Sequence, residues 1–297
     1  MSGVPKEKED LVFYKWRDFS NQVYELFKPS DQWIFRGQSK SSWPLASKLE
    51  RELDRYGKDQ RSIRNAEANI VREFLRKYKN YLGSEHIQDA MEALSYIQHY
   101  GGATRYLDWS YSIYIAAYFA IKGAVVNDWA TVWCFRSTFW SNMSNREKYA
   151  GKVFGCNPTT RNSELQELFG IPVFDENGGC RPRESELYPC VFQVAPCAQN
   201  LNIERQQGLF LMTSQPEKGF ENNLSEMIGK SEDKKDFIRR IDICCDDQFL
   251  TDALTDLRRM SVSSEVLFGG AGGLCEALNL GIMNLYNLQS GATGLKI

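Results

Sequence analysis

The chain is poor in histidine, with only His86 and His99 among 297 residues. Its eight cysteines, at positions 134, 156, 180, 190, 197, 244, 245 and 275, never form a C-x-x-C pair. With so few imidazoles and no thiols at ligand spacing, no metal site is expected. No apolar run approaches the ~20 residues that span a bilayer, so no membrane contact is expected. The opening segment MSGVPKEKEDL is charged and lacks the apolar stretch of an export signal. A cytoplasmic setting is therefore expected, with the cysteines reduced and used as small core residues. Neither G-x-G-x-x-G nor a Walker A run occurs, which removes the Rossmann and P-loop readings. Charge of one sign is lacking as well: 36 basic against 38 acidic residues leave a net −2. No chain-wide attraction for nucleic acid follows from that balance.

What is present suits a globular chain. Hydrophobic residues make up 42 % and aromatics 13 %, enough to bury a sizeable core at this length. Trp16, Phe19, Val23, Leu26 and Phe27 recur at helical spacing, predicting a helix over about 14–28. Trp33-Ile34-Phe35 predicts a short strand that delivers Arg36-Gly37 at its end. Helices are expected over 46–82 and 85–99, the latter closed by Gly101-Gly102. A polar strand over 104–110 and an apolar helix over 112–125 follow, then a buried strand at 131–135. Residues 139–186 read as an insertion punctuated by turns. Strands are expected near 187–194, 208–212 and 237–243, and helices at 247–260 and 263–279. The expected fold class is α+β, a split mixed sheet flanked by helices, in one domain over 14–288. A helical lobe occupies about 46–99, and residues 1–13 form a tail.

The segment QHYGGATRYLDWSYSIYIAAYFA, residues 98–120, concentrates polar groups where a buried strand would carry Val or Ile. Thr104, Arg105, Asp108 and Ser110 fall together there. Buried polar groups are costly unless paired or used, which marks the segment as lining a site. Arg36 adds a planar guanidinium suited to phosphate or carboxylate, and Gly37 leaves room for a ligand beside it. His99 serves either as a site residue or as a helix-end histidine bonded to backbone. Arg105 and Asp108, three apart, read first as a buried ion pair holding the loop. Trp109 is a core residue or a stacking wall. The Lys and Arg residues along 46–80 read first as a solvated face, and otherwise as a contact for nucleic acid or an acidic partner.

Phe35-Arg36-Gly37-Gln38, the run Q-H-Y-G-G-A-T-R-Y-L-D-W-S at 98–110 and A-A-Y-F-A at 116–120 resemble the FRG domain family. Gln206-Gln207-Gly208-Leu209-Phe210 and Leu267-Phe268 resemble its later blocks, so the resemblance spans about residues 20–280. Gly102-Ala103, Ser110 and Gly269-Gly270 depart from the family pattern. A further similarity is to ADP-ribosyltransferases of the Arg-Ser-Glu type. In these, a strand-borne Arg-Gly is followed by a serine strand, five residues, and an Ala-x-x-Phe-Ala helix. Asp108-Trp109-Ser110 stands five residues before Ala116–Ala120, at that spacing.

This second similarity implies an ADP-ribosyltransferase-like fold and NAD as the substrate. Arg36, Gly37, Gln38, Thr104, Arg105, Asp108 and Ser110 are the implied NAD-binding residues. Arg36 is the one assigned to the pyrophosphate, and Ser110 to the nicotinamide ribose. Gln207, with Glu204 second, is the candidate for the third catalytic position, and His99 for acid–base work. The implied enzyme would pass ADP-ribose to a protein or nucleic-acid acceptor, as a prokaryotic or phage-related toxin or defence effector. The alternative is a non-catalytic FRG module that binds a nucleotide or nucleic acid.

Overall fold

The computed structural model describes residues 11–28, 32–83, 86–87, 89–137, 166–174, 179–185, 187–194, 201–229 and 237–290, with side chains to 280. Residues 1–10 of the predicted tail and most of the predicted insertion at 139–186 lie outside the described residues, while 11–13, expected as tail, form a strand.

Local signals account for most helix boundaries. Helix α1 (Trp16–Leu26) buries Trp16, Phe19 and Val23, the stripe its spacing predicts. Helix α2 (Lys48–Arg55) starts in a capping box in which Ser47 and Glu50 each satisfy the other's backbone amide. Helices α3 (Ile63–Lys77) and α4 (Lys79–Leu82) continue the helical lobe. Asp89 caps α5 (Ala90–His99) by accepting from the Glu92 amide. The far end of α5 closes at Gly101, φ +74°, with the Gly102 amide bonded to Ile97 O at 2.7 Å. Helix α6 (Ile113–Ile121) is apolar nearly all round and buries seven of its nine residues, because the sheet and further helices cover its faces.

Among the described residues nine strands form, seven of them in one sheet. They are β1 (Leu11–Phe13), β2 (Trp33–Gln38), β3 (Leu107–Ser110), β4 (Asp128–Arg136), β5 (Val173–Phe174), β6 (Cys180–Arg181), β7 (Val191–Val194), β8 (Gly208–Thr213) and β9 (Ile238–Cys245). The large sheet runs β1-β9-β4-β2-β3-β8-β7, and β5 pairs with β6 separately. Among the described residues of the large sheet, β1 with β9 is parallel and the other pairs are antiparallel. The remaining helices are α7 (Leu201–Arg205), α8 (Phe220–Ile228), α9 (Asp247–Arg259), α10 (Ser264–Phe268) and α11 (Gly270–Ser290). The helix expected over 263–279 is broken in two by Gly269, φ +62°, a conformation that interrupts helical pairing. Strand β1 and helix α7 are too short to show a period and were not foreseen.

The mixed sheet is continuous, yet almost divided in its middle. Strand β2 pairs with β4 along its whole length but meets β3 only where Phe35 faces Ser110. All four residues of β3 pair with β8. Two large apolar cores accompany this division, beside a small cluster of Leu49, Leu53 and Ile63 among the described residues. One gathers Trp16, Phe35, Val132, Ile243 and Phe249 around α1, α6 and α9. The other gathers Val71, Leu94, Trp109, Leu211 and Phe220 around α3, α5 and α8. Beyond the single Phe35–Ser110 pair, β2 and β3 diverge toward Gln38 and Leu107, leaving a wedge. No helix among the described residues is long and apolar enough to cross a membrane.

Candidate functional site

A cleft of about 310 Å³ opens where β2 and β3 part. Arg36 and Gly37 enter from β2, Asp108, Trp109 and Ser110 from β3, and Gln98 and His99 from the end of α5. Asn202, Ile203, Gln206 and Phe210 form the β8 side, and Ala116, Phe119 and Phe268 the base. An early strand, a mid-chain strand and a late turn thus meet at one seam.

Arg36 closes the seam with its side chain. Its Nη1 donates to the main-chain oxygen of Asp108 at 2.7 Å and lies 3.9 Å from the Asp108 carboxylate. Burial lowers its pKa to about 10, opposed by Asp108 and reinforced by the charge of Arg51. Arg36 Nε is buried without a hydrogen-bond partner, and so is Trp109 Nε1. Buried donors are ordinarily paired, so two unsatisfied ones at the same cleft fit a ligand rich in acceptors. Asp108 also accepts from Gln98 Nε2 at 2.8 Å, and the Gln98 oxygen accepts from the Thr104 hydroxyl at 2.6 Å. A polar relay, Thr104 to Gln98 to Asp108, therefore fixes the carboxylate from behind.

The Ser110 hydroxyl donates to Gln206 O at 2.7 Å and accepts from the Ser112 amide at 3.0 Å. Its proton is committed to the turn before β8, so toward a ligand it can offer only an acceptor. His99 is half-buried, its ring edge-on to Tyr100 with centroids 4.8 Å apart. Desolvation lowers its pKa below the ordinary imidazole value, which keeps it neutral at pH 7.

Gly37 has a different reason from the one expected. A methyl group there would fall 1.9 Å from Ala116 O and 2.5 Å from the Ala120 amide nitrogen. What its missing side chain admits is the backbone of α6, which lets the Ala-rich helix lie against β2.

Five of the ten expected site residues line the cleft: Arg36, Gly37, His99, Asp108 and Ser110. The others stand elsewhere. Gln38 is buried, donating to Pro44 O at 3.0 Å and accepting from Trp133 Nε1 at 2.6 Å. Thr104 reaches the cleft only through Gln98. Arg105 is 1 % exposed and pairs bidentately with Glu67, not with Asp108 as expected, while bonding the carbonyls of Phe169 and Gly170. That pair binds the helical lobe to the segment around 169, because a buried guanidinium needs all its donors satisfied. Glu204 is exposed on α7 and Gln207 is exposed with φ +46°. Gln207 faces a separate groove beside Tyr111 and Gln193; the neighbouring Gln206 is the one that lines the cleft. Its nearness to the Gly208 strand start was visible in sequence, but not which glutamine points inward. Asn202 carried no sequence signal at all.

Against this geometry stand the comparisons with known proteins. A family model, that of the FRG domain, matches residues 31–128. The chain carries an FRG domain. The matched stretch contains β2, α5, β3 and α6, hence Arg36, His99, Asp108 and Ser110. The β8 side of the cleft, with Asn202, Gln206 and Phe210, lies beyond the match. No curated protein and no solved structure gives a significant match. The FRG domain therefore supplies one wall of the cleft, and the later part of the chain completes it.

Proposed function

We propose that the cleft binds NAD and that the protein is an ADP-ribosyltransferase-like enzyme. The observation carrying this reading is the order β2-β3-β8, which sets Arg36, Ser110 and the Gln206 turn side by side over one cleft. That is the arrangement expected of a strand-borne Arg, a serine strand and a third polar position on a later strand. Support also comes from Gly37 lying against Ala116 of the Ala-Ala-Tyr-Phe-Ala helix. The partly enclosed cation and the two unpaired donors suit a pyrophosphate.

In such a reaction the bond from ribose C1 to the nicotinamide nitrogen breaks, and its electron pair leaves with nicotinamide. An acceptor nucleophile then bonds to C1 and gives up its proton. The intervening sugar carries oxocarbenium character, which a fixed carboxylate stabilises. Asp108 is the carboxylate among the described lining residues, held by Gln98 and Arg36. Neutral His99 has the protonation state to take the acceptor's proton. Phe119, Phe210 and Phe268 supply an apolar floor that limits water.

Incubation of the purified protein with NAD labelled in the adenylate half is the test, beside Arg36→Ala. Release of nicotinamide and label transfer, both lost in the variant, are expected. Neither event with any cell extract would remove the reading. A second reading is a non-catalytic nucleotide-binding module. It is favoured by the lack of any glutamate among the described lining residues and by the prior engagement of Asp108. Tight NAD binding without turnover would select it.

A further inference from the structure

Arg36 lines two more hollows besides the main cleft. One, about 210 Å³, is walled by Lys48, Arg51, Gln98 and Asp108; the other, about 380 Å³, by Gln38, Trp43 and Arg51. The three are neighbours, since Gln98 and Asp108 are shared with the main cleft and Arg51 lines both smaller hollows. Three cations thus meet at the centre. Lys48 Nζ donates to Gly101 O and Arg51 Nη1 to Ala46 O. Among the described residues neither has a carboxylate within ion-pairing distance. The adjacent acid, Glu50, is turned inward, accepting the amides of Ser47 and Phe220. The Arg51 charge is close enough to Arg36 to depress its protonation. Asp108 offsets part of the Arg36 charge; two cations of this hollow still lack a carboxylate partner, and an anion between them relieves their repulsion.

The support for this arrangement is rigid. The capping box fixes α2, and the loop before it is tied by Gln38 to Pro44 O and by the Ser41 amide to Trp129 O. Trp43 is 48 % exposed at the far end, with Lys40 Nζ 5.9 Å from its ring centroid. An exposed indole held by an anchored loop is a surface on which a flat base stacks.

We propose that Lys48 and Arg51 join Arg36 in a cationic waist that grips the diphosphate of a dinucleotide, with its second nucleoside against Trp43. This rests on reading the main cleft as a nucleotide site. The fit is one of pattern: two hollows with aromatic walls on either side of three cations, and a ligand with two nucleosides on either side of two phosphates. Arg36 is common to both halves, so it orients the ligand across the seam.

The test uses calorimetry with adenosine diphosphate, inorganic pyrophosphate and a single-stranded oligonucleotide, at low and high salt. It compares wild type with Lys48→Gln/Arg51→Gln and with Trp43→Ala. The double variant should weaken adenosine diphosphate about tenfold or more, as loss of charge-assisted bonds does, and flatten the salt dependence. Trp43→Ala should weaken adenosine diphosphate while leaving pyrophosphate unchanged, a contrast that a misfolded variant would not give. Unchanged adenosine diphosphate affinity in the double variant overturns the proposal even if NAD is cleaved. The expected losses, found without NAD cleavage, uphold the subsite while the catalytic reading fails. An oligonucleotide that binds wild type more tightly than adenosine diphosphate, through Lys48 and Arg51, overturns it in favour of a nucleic-acid groove.

Discussion

The Arg36 guanidinium bonds the main-chain carbonyl of Asp108 at 2.7 Å, across two strands whose backbones pair only at Phe35 and Ser110. A side chain thus does at this seam what ladder hydrogen bonds do elsewhere in the sheet. The same group faces the cleft, so holding the wedge and meeting a ligand fall to one residue. Arg36→Lys separates the two demands. A single ammonium lacks the planar fork needed to serve a carbonyl and a phosphate together. Nucleotide binding should fall about tenfold or more, while the melting temperature moves little; calorimetry and a thermal scan check this.

Gly37→Ala should be poorly tolerated for a steric reason. The added methyl would strike the Ala116 carbonyl at 1.9 Å, and backbone cannot yield as a flexible side chain does. Separating α6 from β2 costs about 3 kcal/mol or more, the upper range for overpacking. Chemical denaturation of the purified variant, or its failure to accumulate as soluble protein, is the measurement.

Removing one member of the Arg105–Glu67 pair strands the other in the core, both side chains being 1 % exposed. Glu67→Ala should cost about 3–5 kcal/mol. The double change Glu67→Leu with Arg105→Met should be less harmful than Glu67→Ala, because no charge is left buried. Denaturant midpoints of the three proteins decide whether the role is structural, as the geometry indicates.

Burial lowers the pKa of His99, and the sign of the consequence is definite. The unfolded chain takes up the proton more readily than the folded one near an unperturbed imidazole pKa of about 6.5. The His99 contribution to stability is therefore complete above that value and lost as pH falls through the lower, folded pKa. An NMR titration should show one of the two imidazoles with a midpoint below the usual range. Its signal should vanish in His99→Gln. A midpoint at or above about 6.5 for that signal would contradict the buried placement.

Gln206 and Gln207 make a paired test. Gln207 occupies the left-handed region at φ +46°, which glycine adopts without strain. Gln207→Gly should change stability by less than about 1 kcal/mol and leave nucleotide binding intact. Gln206→Ala should weaken binding without lowering the melting temperature appreciably. The opposite pattern would return the role to Gln207.

Much of this architecture could be read before any coordinates. The Gly101-Gly102 closure announced a helix end, because such signals act within a few residues of chain. The apolar run from Ile113 to Ile121 declared a helix covered on several sides. Thr104 and Arg105 belong to the same polar run as Asp108 and Ser110 but not to the cleft. Their neighbours in space, Gln98 and Glu67, lie 6 and 38 positions away, beyond the reach of local pattern.

Sequence alone determined most of the longer helices and strands, and that Arg36, His99, Asp108 and Ser110 were candidates for one site. Capping, periodicity and burial cost are properties of short stretches, and short stretches carry them. The fold decided the rest: that Arg105 serves Glu67, that Gly37 yields to a helix backbone, and that Gln206 rather than Gln207 faces inward. Those outcomes depend on which strands become neighbours and where their pairing stops. Strand order is set by the packing of two cores at once, so it exists only in the assembled molecule.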